Sequence, residues 1–364
     1  MFDMQHIAEL TPDLLSLTPA EARARIAAWL AVRGEPPYRV RQILPRLWQR
    51  PVGSWEDATD LPAPLRRGLD DAFPLPRFEL AAHQVSRDGT EKFLWALGDG
   101  EAIESVLIPE GRRRTLCISS QVGCALGCVF CATGRMGFRR NLSAGEIACQ
   151  VRELLLRDAS PQPTNVVFMG MGEPLLNWTA VDAALTILNQ PDGLGIGARH
   201  ITLSTVGIVP NLTLLAKRPE QFRLAVSLHA PTPEVRLALM PIEKKYALSE
   251  VLTALGQFRR RVTFEYVLIG GRNDMPELAD RLADLAAPLG ALVNLLPLHP
   301  GGAPDLARSS RAASAEFARR LKARGVTAVL RRSRGLDIAA ACGQLRVELE
   351  PRRKVPAQEH ARVE

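Results

Sequence analysis

The sequence lacks the features of a membrane or secreted protein. It contains no run of about 18 consecutive apolar residues, the length that a bilayer-spanning helix requires. Six cysteines in 364 residues are too few for a secreted disulfide framework. The first residues show no basic segment followed by an apolar stretch, so no secretory signal is visible. We therefore expect a cytoplasmic protein without a membrane partner, whose thiols stay reduced.

Acidic residues are almost missing from several basic stretches. Aromatic residues are also scarce, at 5%, although a hydrophobic fraction of 46% allows a sizeable core. The net charge is +7, and residues 111–140 hold six arginines without one acid. Residues 305–334 hold nine Lys and Arg against two acids, and Arg39, Arg41 and Arg46 lie on one short predicted helix. Because the stretches 111–140 and 305–334 adjoin the chemically distinctive loops described below, they favour a polyanionic substrate.

The pattern changes near residue 76, which suggests a domain boundary. Thr18 and Glu21 form a capping box around Pro19, and this predicts a helix that runs to about Val32. Further helices are predicted over residues 38–48 and 63–71, and prolines follow at 74 and 76. We expect a small helical accessory domain that binds RNA (residues 1–76), a core with an amino-terminal β extension (77–350) and a flexible tail (351–364).

Strand and helix patterns alternate through the core. A hairpin is predicted around Asp88-Gly89, with strands over residues 78–86 and 92–97. Later strands are predicted over residues 103–108, 115–119, 165–169, 200–204, 223–227, 263–268, 292–296 and 327–330, with a capped helix from Ser143. Such alternation predicts an α/β fold with a parallel sheet, as a full or partial β/α barrel, and an open doubly wound sheet is the second choice.

Unusual polar residues follow the carboxyl ends of five successive predicted strands. They are a cysteine loop, then the run Gly170–Glu173, then Ser204, then Ser227 to His229, and finally His299. In a β/α barrel these strand ends meet at one face, where active sites lie. The sequence therefore predicts a single site.

The cysteine loop has the spacing C-x3-C-x2-C, formed by Cys124, Cys128 and Cys131. Three thiolates cannot complete a four-ligand structural site, but they can hold a [4Fe–4S] cluster and leave its fourth iron open to a small molecule. A zinc site would usually show a second C-x2-C pair, which is absent. The spacing therefore favours an iron–sulfur cluster over zinc, and zinc over no metal.

This loop resembles the signature of the radical S-adenosylmethionine (SAM) superfamily, and Phe130 before the last cysteine suits that pattern. The wider resemblance is to the radical-SAM adenosine C2-methyltransferases of ribosomal and transfer RNA. The motifs that carry it lie in the same order over residues 115–124, 168–177, 201–205, 227–230 and 340–345. The resemblance implies a radical-SAM β/α barrel, one [4Fe–4S] cluster held by the three cysteines, and SAM.

The resemblance also implies a role for further residues. It assigns SAM contacts to Gly172, Glu173, Ser204, Ser227, Leu228, His229 and His299, the last standing where the family usually has Asn. It makes Cys342 the methyl acceptor, Cys117 its resolving partner and Glu104 the proton acceptor. The chemistry agrees, since C2 of adenine is electrophilic. A carbon radical from a methylated thiol can add there, and a second thiol can then release the product by disulfide formation. Cys149 is predicted to be a core residue.

The function implied is methylation of C2 of adenosine in 23S rRNA, in the peptidyl-transferase region, and in tRNA next to the anticodon. Its partners would be 23S rRNA, tRNA and an electron donor such as flavodoxin or ferredoxin, and the enzyme would be a monomer. Two alternatives stay open. One is methylation of C8 of the same rRNA adenosine, which would use the same cysteines. The other is an RNA-binding iron–sulfur protein that transfers no methyl group.

Overall fold

The computed structural model describes residues 13–157, 162–299, 303 and 305–345, so the predicted tail lies outside the described residues. The amino-terminal part is helical, with α1 (Pro19–Val32), α2 (Arg39–Ile43) and α3 (Ala63–Ala72). The capping box that opens α1 is present, since the backbone N–H of Thr18 donates to the Glu21 carboxylate at 2.9 Å. The first helix therefore begins and ends where the sequence predicts.

The second predicted helix is shorter than expected. The prediction covered residues 38–48, but α2 ends at Ile43 and continues only as a 3₁₀ turn over Leu44–Arg46. Pro45 lacks the N–H that an α-helix needs at this position, and this accounts for the change of hydrogen-bond pattern.

Twelve strands follow in the described part of the chain. They are β1 (Glu79–Val85), β2 (Glu91–Ala96), β3 (Ala102–Glu110), β4 (Arg113–Cys117), β5 (Gln121–Gly123), β6 (Phe138–Asn141), β7 (Asn165–Phe168), β8 (Ile201–Thr205), β9 (Arg223–Ser227), β10 (Thr263–Leu268), β11 (Leu292–Pro297) and β12 (Ala328–Leu330). Ten of them form one sheet in the order β1-β2-β3-β4-β7-β8-β9-β10-β11-β12. The first four strands pair antiparallel, and every later pair from β4 onward is parallel.

Helices connect the parallel strands. They are α4 (Ala132–Met136), α5 (Ala144–Leu155), α6 (Trp178–Asn189), α7 (Val209–Ala216), α8 (Pro233–Leu239), α9 (Leu248–Leu255), α10 (Pro276–Ala286) and α11 (Arg311–Ala323). Neighbouring parallel strands are consecutive along the chain, whereas a doubly wound sheet would reverse its order at one point. On its other side β4 pairs with β3 and not with β12, so the barrel stays open. The predicted α/β fold with a partial β/α barrel is confirmed.

The helical module is fastened to the barrel through α5. The guanidinium of Arg152 is fully buried and donates to the carbonyl oxygens of Leu47 and Val52, at 3.0 and 2.6 Å. The carboxylate of its neighbour Glu153 accepts three hydrogen bonds from Arg77, which lies in the segment between α3 and β1. The position of the module relative to the barrel is therefore fixed by buried polar contacts.

A two-stranded ribbon formed by β5 and β6 was not predicted. It brackets the cysteine loop, and the backbone N–H of Cys124 donates to the carbonyl of Gly137 at 2.9 Å. Gly123 has a φ of 74°, and a Cβ there would lie 1.9 Å from the Gly137 carbonyl oxygen. Only glycine at position 123 allows these two backbone segments to approach each other this closely. Within residues 13–157, 162–299, 303 and 305–345, none of the helices combines the length and hydrophobicity needed to cross a bilayer.

Candidate active site

The carboxyl ends of the parallel strands surround a cavity of about 270 Å³. Most of the predicted site residues line it, namely Cys117, Cys124, Cys128, Cys131, Gly172, Glu173, Ser204, Ser227, His229, His299 and Cys342. Leu228 and Glu104 do not line it. The loops that follow β4, β7, β8, β9, β11 and β12 all contribute, which is the arrangement that a β/α barrel imposes on residues beyond its strand ends.

The three cysteines of the loop share one wall of the cavity. Cys124 and Cys128 are buried and Cys131 is half-buried, and none forms a disulfide. No group of three His, Cys, Asp or Glu side chains in the described residues converges on the position of a single metal ion. A [4Fe–4S] cluster makes a different demand, because each thiolate binds its own iron and the sulfurs stand around the cluster.

The electrostatics of the loop suit a positively charged group. Burial, followed by the neighbouring Cys131 and Glu173, raises the pKa of Cys124 to about 12. Burial also raises the pKa of Cys128 far above its usual range, and Cys131 and Cys124 raise it further. Thiolates in this site therefore need a cationic partner, and a metal centre supplies one. The donor set and its burial fit an iron–sulfur cluster.

Glu173 lies at the centre of the next loop, which follows β7. Its carboxylate accepts hydrogen bonds from the backbone N–H groups of Leu175 and Val206, at 3.0 and 2.9 Å, and from the Thr205 hydroxyl at 2.7 Å. A carboxylate has about four acceptor positions, so about one remains for a ligand. Burial nonetheless raises the pKa of Glu173 to about 7, against the effect of these hydrogen bonds. A cationic amine in the cavity would therefore favour the ionised carboxylate.

Gly172 allows this loop to lie against the strand segment that leads to the cysteines. Its φ is 98°, and a Cβ at this position would meet the Gln121 side chain at 2.6 Å. The Gln121 side-chain oxygen accepts a hydrogen bond from the backbone N–H of Glu173 at 2.8 Å, and this bond fixes the position of the Glu173 backbone relative to β5. The glycine thus couples the Glu173 loop to the cysteine loop.

Two hydroxyls and an imidazole form the opposite wall. The hydroxyl oxygens of Ser204 and Ser227 are 3.5 Å apart at the ends of β8 and β9. Nδ1 of His229 accepts from the backbone N–H of Val267 at 3.0 Å, so the proton of the neutral ring is on Nε2. Burial, and then Arg236, lowers the pKa of His229 to about 3. Its ring meets that of Phe130 edge-on, with centroids 4.7 Å apart.

Leu228 contributes to the site through its backbone. Its side chain is fully buried, and its N–H donates to the carbonyl of Glu265 at 3.1 Å. This bond aligns the 227–229 segment on β10. His229 itself has a φ of 55°, which is unusual for a residue other than glycine and is typical of functional loops.

His299 follows β11 and is hydrogen-bonded through Nε2 to the Ser333 hydroxyl. Burial lowers the pKa of His299, and Arg308 lowers it further. The neutral imidazole therefore ties the end of β11 to the segment after β12 and keeps one ring nitrogen for another partner.

Cys117 and Cys342 come together although 225 positions separate them in the sequence. Cys117 ends β4 and is buried, and Cys342 keeps accessible surface because it faces the cavity. Burial raises the pKa of the Cys117 thiol well above its usual range, and the nearby Cys342 raises it further. Although Cys342 keeps accessible surface, the protein atoms that surround its thiol desolvate it and raise its pKa to about 11. Neither thiol forms a disulfide in this structure.

Glu104 lies on β3 and, by the register of β3 with β4, is on the same face of the sheet as Cys117 and Ile108, which line the cavity. One carboxylate oxygen is 3.1 Å from the Lys92 ammonium, and its backbone carbonyl accepts from the Ser119 hydroxyl at 2.7 Å. The structure thus places Glu104 in a buried ion pair. Cys149 is buried within α5, with its neighbours in the core.

Comparison with known proteins gives a consistent result. The Radical SAM superfamily model matches residues 118–284. The protein named "Probable dual-specificity RNA methyltransferase RlmN" of Gemmatimonas aurantiaca is 57% identical over 97% of this chain and 98% of its own length. The "Dual-specificity RNA methyltransferase RlmN" of Anaeromyxobacter dehalogenans is 46% identical over 95% of this chain and 96% of its own.

This chain belongs to the RlmN family of radical SAM methyltransferases. A solved structure agrees, since the crystal structure of a radical SAM methyltransferase from Sphaerobacter thermophilus superposes with a TM-score of 0.86 at 44% identity. It covers 93% of this chain and all of that one. Membership of this family implies SAM and a [4Fe–4S] cluster as the groups used.

Sequence reasoning did not assign to the cavity four charged side chains that line it, namely Glu265, Arg331, Arg332 and Arg334. Glu265, on β10, is buried and accepts from the Asn294 amide at 2.9 Å, and burial raises its pKa. Arg331 follows β12 and lines the same space. A strand pattern alone cannot show which face of β10 meets the cavity, so Glu265 gave no signal beyond being an acid in an apolar strand.

Proposed function

We propose that the chain methylates C2 of adenosine in 23S rRNA, in the peptidyl-transferase region, and in tRNA next to the anticodon. The observation that carries this proposal is the single cavity that holds the three-cysteine loop together with Cys117 and Cys342. A radical SAM enzyme that forms no protein-bound methyl group would have no use for Cys117 and Cys342 in addition to the three cysteines of the loop. Family membership supports methyl transfer to RNA.

Cys124, Cys128 and Cys131 would hold the cluster, and Glu173 with the Ser204 and Ser227 hydroxyls would bind SAM. When bound, the cluster would supply the electron that splits SAM and yields a 5′-deoxyadenosyl radical. Glu173 is suited to the amino group of SAM because burial makes an unpaired charge there costly. Neutral His229 and His299 add hydrogen-bonding groups without adding charge to the cavity.

Cys342 would first accept a methyl group from SAM and lose its thiol proton. Hydrogen abstraction from that methyl group would leave a carbon radical, which adds to C2 of the adenine. The adduct would lose the C2 proton and one electron, which returns to the group that supplied it, and the ring would become aromatic again. Cys117 lies beside Cys342. Its thiolate would then attack the Cys342 sulfur, so that the disulfide forms, the bond from that sulfur to the CH2 carbon breaks, and this carbon takes up a proton to become the methyl group. Glu104 would take the C2 proton. Because its carboxylate is paired with Lys92 at 3.1 Å, this role requires that ion pair to open.

The helical module, residues 1–76, would bind RNA, with the barrel over residues 77–350. Of the three predicted contacts, Arg46 is paired with Asp60 at 2.7 Å, and Arg39 donates to Gln42 at 2.8 Å. Arg41 is exposed and has no ion pair among the residues that the structure describes. We propose Arg41 as the phosphate contact of this helix, a flavodoxin or ferredoxin as the electron donor, and a cytoplasmic monomer as the active form.

One experiment tests this function directly. Reconstituted enzyme is incubated with SAM, dithionite and either protein-free 23S rRNA or tRNA, and the methylated nucleoside is mapped by mass spectrometry and identified by NMR. We expect 2-methyladenosine in both RNAs. A C8-methylated product would contradict the proposed position of methylation. Production of 5′-deoxyadenosine without any methylated RNA would contradict methyl transfer to RNA.

A further inference from the structure

An exposed aromatic side chain stands next to the cysteine loop. Phe138 is the first residue of β6 and is 45% exposed, and Met136, at the end of α4, is 39% exposed. Phe138 belongs neither to the hydrophobic core nor to the side chains packed on it. It pairs across the ribbon with Gly123, which offers no side chain for the ring to cover. The Phe138 ring therefore contributes little to the stability of the fold.

The two apolar side chains are flanked by arginines. Arg135 and Arg139 are exposed, and Arg139 has no ion pair in the described part of the chain. Arg135 lies 3.6 Å from Asp305, in an exposed pair of the kind that contributes little to stability. Arg140 differs, because it is held by Asp99 and Glu146 at 2.5 and 2.8 Å. Residues 135–139 therefore combine one aromatic ring, one thioether and two available guanidinium groups.

This segment is joined to both halves of the candidate active site. The Gly137 carbonyl accepts from the backbone N–H of Cys124, as described above. At the other end of the segment, the backbone N–H of Ala132 donates to Gly343 at 2.8 Å, and the Thr133 hydroxyl donates to Leu345 at 2.7 Å. The ring therefore stands beside the cysteine loop, and α4 connects its segment to the segment that carries Cys342.

We propose that residues 135–139 form a stacking platform for single-stranded RNA, on which Phe138 takes a base next to the target adenosine. The inference rests on the proposed RNA methyl transfer and names where the RNA is held. An adenosine that enters the cavity must leave its stack, so its neighbours lose a stacking partner at the cavity rim. Aromatic rings between arginines are how proteins hold such bases, through stacking and phosphate contacts.

An electron-donor protein is the competing occupant, since it would also approach the cysteine loop through a basic surface. The side chains favour RNA. The flat face of an exposed aromatic ring can stack on a base, and α4 connects the platform, through the bond from Ala132 to Gly343, to the segment that carries Cys342, which RNA must reach.

The test measures the affinity of a fluorescein-labelled RNA stem-loop with one adenosine in its loop. Fluorescence anisotropy is recorded at several salt concentrations. Phe138→Ala should raise Kd by roughly 5- to 150-fold, equivalent to ~1–3 kcal/mol, without changing the salt dependence. Phe138→Trp should restore binding. Arg139→Gln should lower the slope of log Kd against log salt by about 0.7, as expected for one lost single-strand phosphate contact. Leu214→Ala removes a similarly exposed apolar side chain on α7 and should change nothing.

A second arm removes the base instead of the ring. Stem-loops with an abasic site on the 5′ or the 3′ side of the adenosine are compared on wild type and Phe138→Ala. One of these two abasic stem-loops should bind wild type and Phe138→Ala with equal affinity, because it lacks the base that stacks on the Phe138 ring. Cluster absorbance and dithionite-driven formation of 5′-deoxyadenosine without RNA should be the same in both proteins, which shows that the variant is folded.

Three results would overturn the platform. The first is an unchanged Kd for Phe138→Ala on a stem-loop that wild type binds and methylates, which would leave the methyltransferase function standing. The second is a loss of affinity accompanied by a lower salt slope. The third is unchanged RNA binding with slower reduction by flavodoxin, which would assign the surface to the electron donor. Failure of wild type itself to bind and methylate RNA would instead remove the proposed function and the platform with it.

Discussion

The guanidinium of Arg152, on barrel helix α5, donates through Nε to the carbonyl oxygen of Leu47 in the helical module, at 3.0 Å. Because the same guanidinium also donates to Val52, one buried side chain fastens two points of the module to the barrel.

Replacing this side chain should loosen the module. Arg152→Met would leave two buried carbonyl groups without a donor, so we expect a loss of about 2–4 kcal/mol in the free energy of unfolding. Urea denaturation measures this loss, and limited proteolysis should cut the module from the barrel sooner than in wild type. Arg152→Lys keeps the charge but not the forked geometry and should recover part of the stability. Equal stability of Arg152→Met and wild type would show that the contacts do not hold the module.

Removing one cysteine of the loop should abolish the cluster but not the fold. Cys128→Ala deletes a small buried side chain, so the protein should remain folded while its iron content, its brown colour and its 5′-deoxyadenosine formation are lost. Iron analysis and electron paramagnetic resonance give the result. Cys149→Ala is the matched control, since Cys149 is also buried but lies in α5. Retention of iron and activity by Cys128→Ala would refute the ligand assignment.

The two cavity thiols should have separable roles. Cys342→Ala should transfer no methyl group to protein or RNA, because the acceptor is missing. Cys117→Ala should still be methylated on Cys342 but should accumulate with RNA attached through that residue. Denaturing gels of protein from cells should show a slow band that ribonuclease removes, and the double variant should lack it. Normal turnover by Cys117→Ala without an adduct would exclude release through a disulfide.

Arg41 should contact phosphate, whereas Arg46 should act within the module. Arg41→Gln removes an exposed, unpaired charge, so RNA affinity should fall and the slope of log Kd against log salt should decrease by about 0.7–0.9. Arg46→Gln breaks the ion pair with Asp60 and should leave that slope unchanged. Salt titrations of both variants with one tRNA give the comparison. Equal slopes for Arg41→Gln and wild type would place the RNA elsewhere.

Asp88 should make the stability of the β1–β2 hairpin depend on pH. Burial would raise the pKa of Asp88, but hydrogen bonds from Thr90, Gly335 and Ser86 outweigh it and lower the pKa to about 2. The unfolded chain binds the proton near its ordinary value of 3.8, so the contribution is complete above that pH and is lost as the pH falls through about 2.

The experiment compares wild type with Asp88→Asn. The difference in their free energy of unfolding should be present above pH 4 and should shrink toward pH 2. Hydrogen exchange of residues 335–345 should be faster in the variant near neutral pH, because the Gly335 N–H loses its charged acceptor, now at 3.0 Å. A difference that does not vary with pH would show that the carboxylate charge is not what matters.

Local signals in the sequence predicted much of the fold. The capping boxes at Thr18 and Ser143 mark helix starts that the structure confirms, and β9 and β10 have the predicted bounds. The ribbon of β5 and β6 escaped prediction because it depends on the close approach of Gly123 and Gly137, which are 14 positions apart. Ion pairs between residues far apart in the sequence could not be predicted either. Charge counts on the second helix could not show that Arg46 is already held by Asp60.

For the site as well, features set by local sequence were predicted, and features set by contacts between distant parts of the chain were not. Residues just after the strands were found because a parallel sheet collects its strand ends at one face. Side chains within a strand, such as Glu265, were missed because their orientation is fixed only by the register of neighbouring strands. The motif resemblance supplied Cys117 and Glu104. The structure places both on the same face of the sheet, with the thiol lining the cavity and the carboxylate held in an ion pair by Lys92.

The two cavity thiols lie on parts of the chain that are held by different kinds of contact. Cys117 ends β4, which is paired on both sides, so hydrogen bonds to two neighbouring strands fix its backbone. Cys342 lies beyond the last strand, in a turn held by a local bond from the Gln344 N–H to the Ala341 carbonyl and by the bonds that the carbonyls of Gly343 and Leu345 accept from α4. A movement of Cys342 between its proposed reaction partners would therefore also strain α4, which begins directly after Cys131, so the position of the methyl-carrying thiol is coupled to the cysteine loop.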